Sequence, residues 1–186
     1  MIMNISFRHF LWFVGTGFLL SGLAFSQVKG QAVETTVTSC AKTNTSIKIE
    51  KSAYRLSLLC KGKPFKTYPV VFGGDPVYDK RQEGDSRTPE GWFKIKSIAL
   101  HKSWFYFIWI DYPTADSWKK HKLAKQKGEI PQRATIGGEI GIHGTPVDIL
   151  VDTRYNWTLG CIALKQADVK NLVQYIQVGT SVQILH

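Results

Sequence analysis

The chain has 186 residues, of which 44% are hydrophobic and only 20% are charged. This length fits one domain of ordinary size, and the composition excludes an intrinsically disordered chain. The formal net charge of +10 favours an anionic partner, such as a nucleic acid, membrane head groups or an anionic wall polymer.

The first 26 residues have the three-part layout of a secretory signal peptide. Arg8 and His9 provide a basic start, an apolar run of 14 residues covers 10–23, and a small-x-small cleavage pattern occupies 24–26. The run is shorter than the roughly 20 residues that span a membrane, although a retained N-terminal anchor is the alternative. Either reading predicts an exported domain in the periplasm or cell envelope, and cleavage leaves no stable membrane insertion.

Export makes nucleic acid the poorest of the anionic partners. The mature chain has 23 basic and 14 acidic residues, a net charge of +9. Its basic residues are scattered, with no interleaved aromatic residues of the kind that stack on bases. We therefore expect no nucleic-acid binding. Two explanations of the net charge are left. The basic side chains form an ordinary solvent-exposed surface, or they bind the domain to an anionic surface.

Three cysteines lie in the mature chain, at Cys40, Cys60 and Cys161. An odd number in an oxidising compartment leaves at least one free thiol. Cys40 and Cys60 are 20 residues apart and are able to pair, which would leave Cys161 free. Cys60 ends an apolar run, so a buried free thiol is the alternative there.

Patterning predicts a mostly β domain, closed or sandwich-like, with one or two short helices. Residues 27–45 are rich in Thr, Ser and Ala without a sustained period, and we interpret them as a linker before a domain over 46–186. Apolar and polar residues then alternate as in strands. The predicted strands are 47–50, 55–58, 65–72, 91–98, 105–110, 140–143 and 181–185. A helix is predicted over 165–176, a charged helix or mobile loop over 114–127, and a loop over 147–157.

Two short segments concentrate residues capable of chemistry, at 141–146 and at 157–164. A thiol is a good nucleophile only as thiolate, so Cys161 needs a base or a positive field. His143 is the natural base because its ordinary pKa lies near neutrality. Gly160 allows close backbone approach to a substrate, and a helix starting near Lys165 would further favour the thiolate if it pointed at the sulfur. The alternatives are a buried structural Cys and His, or a zinc site, for which too few ligands are present.

The motifs resemble the L,D-transpeptidase (YkuD-type) catalytic domain. The resemblance rests on G-D-S-R-T-P-E-G at 84–91, I-H-G at 142–144 and T-L-G-C-I-A-L at 158–164. It implies the fold of that family and an enzyme that acts on peptidoglycan stem peptides. In this family the cysteine attacks the carbonyl of the diaminopimelate-type residue at stem position three and releases D-alanine. An amine of another stem then takes the acyl group, which gives a 3–3 cross-link.

Carried onto this chain, the resemblance assigns Cys161 as nucleophile and His143 as base. The Gly144 carbonyl would orient the imidazole, and amides at Gly160 and Cys161 would form the oxyanion hole. The candidate substrate-binding residues are Arg87, Tyr112, Trp157 and Thr158. No metal and no organic cofactor is implied. The other histidines, His101, His121 and His186, are interpreted as incidental.

Two positions depart from the family pattern. Leu159 stands where a second histidine is common, and Ala163 stands where an arginine usually contacts a substrate carboxylate. Water, or a different amine, is therefore an alternative acceptor, which would make the protein a carboxypeptidase or amidase. A non-catalytic peptidoglycan-binding module is a further alternative. Residues 114–133 are predicted to form a lid, on their position and polarity alone.

Overall fold

The computed structural model describes residues 39–186, so the predicted signal peptide and most of the predicted linker lie outside the described residues. Eight strands and three short helices follow a 3-10 turn at Lys42–Asn44. The strands are β1 (Thr45–Glu50), β2 (Arg55–Cys60), β3 (Lys63–Pro69), β4 (Gly91–His101), β5 (Phe105–Ile110), β6 (Gly141–Gly144), β7 (Ile162–Leu164) and β8 (Ser181–Leu185). The helices are α1 (Ala115–Gln126), α2 (Ile149–Asp152) and α3 (Gln166–Leu172).

The strands form one mostly antiparallel sheet, which confirms the predicted mostly β fold. Its order is β3-β2-β1-β8-β4-β5-β6-β7, with parallel pairs only at β1–β8 and β6–β7. Isolated bridges join Val71 to Ala163 and Gly73 to Thr158. Because these bridges connect the segment after β3 with the β7 end of the sheet, the sheet is nearly closed into a barrel.

Strand β4 connects the two halves of the sheet. Its first residues pair with β8, and from Ile95 onward it pairs with β5. The register shifts between Ile95 and Ser97, and such a bulge bends a strand and increases its twist. The long strand therefore bends the sheet around the core.

The core is formed by the buried residues that alternate with exposed or half-exposed residues along the strands. In β1, Ile47 and Ile49 are buried while Lys48 and Glu50 form an ion pair on the outer face. Side chains of successive strand residues point to opposite faces, so one face of the sheet covers an apolar interior. Val169, Leu172 and Ile176 cover that interior from α3 and the turn after it, as their helical spacing predicts.

Three local predictions differ from the structure. Residues 149–152 form α2, where a loop was predicted. The predicted helix over 165–176 is helical only over Gln166–Leu172. Strand β7 was not predicted, because its three residues are too few to show a period and are buried on both faces. Residues of β7 are identified as a strand only by their parallel pairing with β6, which the local sequence pattern does not indicate.

Helix α1 braces a neighbouring loop. Thr114 and Ser117 form a capping box at its start, which satisfies amides that the first turn leaves free. The buried His121 contacts the Arg81 carbonyl through Nδ1 at 2.6 Å, and Lys120 donates to Asp79 and to the Glu90 carbonyl. Residues 115–126 are therefore a helix fixed against 79–90.

A disulfide joins Cys40 to Cys60 and leaves Cys161 as a free thiol within the described residues. It attaches the chain before β1 to the end of β2. Separately, no helix in residues 39–186 combines the length and apolar character needed to cross a bilayer.

Candidate active site

Strands β6 and β7 bring His143 and Cys161 to one face of the sheet. In their parallel register, Ile142 lies opposite Ile162 and His143 lies opposite Ala163. Both isoleucines are buried in the core, so the alternate positions face the other way. Cys161 is two residues before Ala163, and it therefore shares the face of His143. Both side chains line the same cavity.

The main chain of the neighbouring glycine orients the His143 ring. Its Nδ1 lies 2.9 Å from the Gly144 carbonyl oxygen, and since a carbonyl only accepts, Nδ1 carries the proton. Nε2 is then the unprotonated nitrogen available to a thiol. A side chain at position 144 would meet the Trp104 carbonyl, which also accepts the Gly144 amide proton at 3.0 Å.

Aromatic rings surround the imidazole. Trp104 stacks on it with ring centroids 4.5 Å apart, Phe107 stacks at 5.3 Å, and Trp157 meets it edge-on at 5.7 Å. Burial among these rings lowers the pKa of His143 to about 4, against the smaller opposing effect of its bond to Gly144. The resting imidazole is therefore neutral near pH 7, as a general base must be.

The resting Cys161 is a thiol. Burial raises its pKa to about 11, and Sγ donates to the Glu139 carbonyl at 3.6 Å. The predicted helix-dipole contribution does not apply, because β7 separates Cys161 from the N-terminus of α3. Three strand residues span roughly 10 Å, and a helix dipole acts only near its first turn. A thiol in this state becomes a nucleophile only when a base takes its proton.

The turn before Cys161 is held by Thr158. Its buried hydroxyl donates to the Cys161 carbonyl at 2.7 Å and accepts from the Gly160 amide at 3.1 Å. Gly160 has φ +134°, and a Cβ there would lie 2.6 Å from the Arg87 carbonyl oxygen. Only glycine suits this backbone and this close approach. The hydroxyl of Thr158 thus serves the turn itself, and the Gly160 amide already has an acceptor.

A cavity of about 690 Å³ opens over the two residues. Its walls are mainly aromatic and main-chain, and its charged side chains are few. The lining residues are Lys80, Glu83, Gly84, His101, Trp104, Phe107, Trp109, Gly137, Gly138, Glu139, Ile140, His143, Trp157, Thr158, Leu159 and Cys161. None belongs to residues 114–133, so α1 does not cover the site, contrary to the lid prediction.

His101 and Trp104 belong to the site although sequence reasoning did not identify them as functional. His101 stacks on Trp104 with ring centroids 4.3 Å apart, and Trp104 stacks in turn on His143. The Ser103 amide donates to Nδ1 of His101, which leaves Nε2 as its protonated nitrogen. The interpretation of His101 as incidental is therefore wrong as to location. His101 reaches the site from the end of β4, where it pairs with Phe105 of β5, and no local sequence pattern indicates that position.

The predicted substrate-binding residues separate in space. Trp157 and Thr158 line the cavity, whereas Arg87 and Tyr112 do not. Arg87 is paired with Asp75 at 2.8 Å. Tyr112 is buried, and its hydroxyl donates to the Ile136 carbonyl. The structure thus gives Arg87 and Tyr112 scaffold contacts in place of a position on the cavity wall.

The G-D-S-R-T-P-E-G segment acts as scaffold for the nucleophile turn. Asp85 accepts from three main-chain amides, at 81, 82 and 87, and pairs with the buried Lys80 at 2.8 Å. The fully buried Lys51 donates to Glu90 and to the Thr88 carbonyl of this segment, and also to the Tyr78 carbonyl before it. Since the Arg87 carbonyl packs against Gly160, fixing this loop also fixes the turn before Cys161.

Neither departure from the family pattern is compensated locally. Leu159 is 80% exposed at the cavity mouth. Ala163 is fully buried against Val71 and Val151, so an arginine would not fit at this position. Within residues 39–186, no cluster of three His, Cys, Asp or Glu side chains is suited to a metal ion.

Comparisons with known proteins identify the family and the fold of the chain. Residues 44–184 match the model of the L,D-transpeptidase catalytic domain, YkuD. Fifty solved chains match, while no curated protein sequence does. Bd1075 of Bdellovibrio bacteriovorus has a TM-score of 0.57 and 20% identity over 76% of this chain and 48% of its own.

Two further solved structures have the same fold. The helical cell shape determining protein Pgp2 of Campylobacter jejuni has a TM-score of 0.55 and 23% identity, over 75% of this chain and 46% of its own. An L,D-transpeptidase of Mycobacterium smegmatis has a TM-score of 0.51 and 12% identity, over 77% and 59%. The chain thus spans about half the length of these proteins. With the family model matched over most of its length, the chain belongs to the L,D-transpeptidase catalytic domain (YkuD) family.

Proposed function

We propose that the protein is an exported cysteine L,D-transpeptidase that acts on peptidoglycan stem peptides through a thioester acyl-enzyme. The family acts on these peptides, and the observation that carries the finer proposal is the placement of His143 and Cys161 on one face of adjacent strands. The imidazole has its unprotonated Nε2 available because Nδ1 is committed to Gly144. A nucleophile, a base and an orienting acceptor are the parts that covalent acyl transfer requires.

In the first half-reaction, Sγ of Cys161 attacks the carbonyl of the diaminopimelate-type residue at position three. His143 Nε2 takes the thiol proton as the carbon–sulfur bond forms. It then returns the proton to the amine of D-alanine as the peptide bond breaks. Because the resting thiol donates to the Glu139 carbonyl, it must turn toward His143 when substrate binds.

The tetrahedral intermediate needs hydrogen-bond donors for its oxyanion. Both Gly160 and Cys161 are candidate donors from the family resemblance. The Gly160 amide donates to Thr158, so we assign the larger role to the Cys161 amide. The Thr158 hydroxyl keeps the turn rigid by binding both ends of it, which supports a preorganised site.

In the second half-reaction, an amine of another stem attacks the thioester carbonyl. The carbon–sulfur bond breaks, an amide bond forms, and the proton of the amine passes through His143 to the departing sulfur. Trp157 and the aromatic rings beside it are suited to contact the stem peptides. Water as the attacking group would give a carboxypeptidase from the same intermediate.

Export is part of the proposal, with residues 1–26 as signal peptide and a periplasmic or envelope location. Disulfides persist in oxidising compartments and are rare in the cytosol. The Cys40–Cys60 disulfide therefore supports an extracytoplasmic domain, where peptidoglycan is accessible.

The test is incubation of the mature protein with disaccharide-tetrapeptide, followed by mass spectrometry of products and of intact protein. Cys161→Ala is the matched variant. Dimers joined through two position-three residues, with an acyl adduct on the wild type alone, are expected. Cysteine-dependent loss of D-alanine without dimers, even with excess amine acceptor, would show a hydrolase. No adduct and no product would leave a peptidoglycan-binding module or a basic anion-binding surface as the better account.

A further inference from the structure

We propose that Glu139 selects a cationic amine as the acyl acceptor, which makes aminolysis rather than hydrolysis the second half-reaction. This inference rests on the proposed transpeptidase function and concerns the same cavity. It names the residue that would distinguish an ammonium-bearing acceptor from water.

The first observation is the charge of the cavity. Its only lysine, Lys80, is 3% exposed and is bound to Asp85 at 2.8 Å and to the Gln82 carbonyl at 3.0 Å. That ammonium therefore already has an anionic partner, although its charge still lowers the pKa of Cys161. Glu83 and Glu139 also line the cavity, and both are exposed. The position where the family has an arginine is the buried Ala163. The cavity thus has a surplus of negative charge, which attracts cations.

The second observation is the placement of Glu139. Its main-chain carbonyl accepts a hydrogen bond from the Cys161 thiol, so this residue lies next to the proposed nucleophile. Its carboxylate Oε2 accepts from the indole nitrogen of Trp109 at 2.8 Å. None of the ion pairs within residues 39–186 includes Glu139. The carboxylate is thus held at the wall without a cationic partner, and its second oxygen is free to accept from a ligand.

The third observation is the aromatic lining beside the carboxylate. Trp109 and Trp157 border the cavity, beside Trp104 and Phe107, whose rings already stack on His143. The faces of indole and phenyl rings attract ammonium groups, and this attraction increases as water is excluded. A carboxylate that lines the cavity with the indoles of Trp109 and Trp157 is therefore suited to a primary ammonium and poorly suited to a substrate carboxylate.

The negative charge of the Glu139 carboxylate opposes formation of the Cys161 thiolate, which the first half-reaction requires. The negative charge of Glu139 contributes to raising the pKa of Cys161, after the larger effect of burial. A carboxylate that opposes thiolate formation does not assist the attack on the acyl donor. The charge of Glu139 would instead assist the arrival of a cationic acceptor.

The acceptor ammonium binds beside Glu139, loses one proton to solvent and becomes a neutral amine. Its nitrogen attacks the thioester carbonyl, the carbon–sulfur bond breaks, and the second proton passes through His143 to the Cys161 sulfur. The products are an amide and the free thiol. Glu139 contacts the acceptor and changes no covalent bond.

The experiment is a partition measurement on the acyl-enzyme of the mature protein, using Glu139→Gln. Gln retains an acceptor for the Trp109 indole and removes only the charge. Tetrapeptide donor is supplied with either glycinamide, whose amine is cationic at neutral pH, or hydroxylamine, which is neutral there. Glu129→Gln is the matched control, because Glu129 is exposed and does not line the cavity.

We expect Glu139→Gln to lower the ratio of glycinamide transfer to hydrolysis about fivefold. This factor corresponds to about 1 kcal/mol, the interaction energy of a partly exposed charge pair. Transfer to hydroxylamine and the rate of acylation should be unchanged or higher, which also shows that the variant is folded. Added salt should reduce glycinamide transfer in the wild type but not in the variant. An unchanged glycinamide ratio, or an equal loss with hydroxylamine, would overturn the role of Glu139 while leaving the transpeptidase intact. Failure of the wild type to form an acyl-enzyme would instead overturn both proposals.

Discussion

Removing the Trp104 indole should raise the pKa of His143. Burial among three aromatic rings lowers this pKa from an ordinary 6.5 to about 4, which corresponds to about 3 kcal/mol in favour of the neutral imidazole. Trp104 covers one face of the ring at 4.5 Å. Trp104→Ala exposes that face to water, and we expect it to restore about a third of the difference, or about 1 kcal/mol. The pKa would then be near 5.

The assay is an NMR titration of isotope-labelled histidine, with His143 assigned by its loss in His143→Gln. Trp92→Ala is the matched control, because Trp92 is 65% exposed on β4 and does not line the cavity. It should leave the titration unchanged. A pKa that stays at about 4 or falls in Trp104→Ala would refute the desolvation argument, since the stacked indole would not then be what excludes water from the imidazole.

The same shift predicts how stability depends on pH. Between pH 6.5 and about 4, unfolded His143 binds a proton that the folded state does not bind. Stability therefore rises with pH through this window and is lost as the pH falls. Trp104→Ala should narrow the pH range over which the stability changes, and His143→Gln should remove the contribution of His143 to this pH dependence. Urea unfolding at pH 7 and pH 4.5 measures the difference, and equal pH dependence in all three proteins would contradict the assignment.

Three further substitutions, and Gly62→Ala as the control for the first of them, test the scaffold by chemical denaturation and by acyl-enzyme formation. Gly160→Ala should abolish acylation and cost about 2–4 kcal/mol, because its Cβ would press on the Arg87 carbonyl at an unfavourable φ. Gly62→Ala, with positive φ but open space, should cost only about 1 kcal/mol. Thr158→Val should cost about 1–3 kcal/mol and slow acylation, because two hydrogen bonds of the nucleophile turn are lost. Lys51→Met should cost about 3 kcal/mol, because it leaves Glu90 and two carbonyls without their buried donor.

Each of these has an outcome that would contradict it. Equal effects of the two alanine substitutions would show that backbone φ alone matters at Gly160. Thr158→Ser should be close to wild type, and a loss as large as that of Thr158→Val would assign the effect to the methyl group. A Lys51→Met protein as stable as wild type would show that the loop satisfies its acceptors from water.

Some residues of the candidate site could be predicted from the sequence, and others could not. Cys161 and His143 were identified because thiol and imidazole chemistry is a property of the residue itself, and the family motifs lie beside them. Trp104, His101 and Glu139 were not identified as functional. They reach the cavity from the β4–β5 hairpin and from the segment before β6, and no local pattern predicts which loops will meet there.

By itself, the sequence determined the fold class and most strand positions, because strand alternation is local and repeats every two residues. It also indicated the family, and it predicted Cys161 and His143 as the candidate catalytic residues. Only the tertiary structure decided that β7 pairs with β6, that Cys161 precedes a strand rather than a helix, and that Lys80 is already paired with Asp85. The physical reason is that solvation and charge pairing depend on neighbours distant in the chain. The same thiol and imidazole would titrate near their ordinary values if those neighbours were absent.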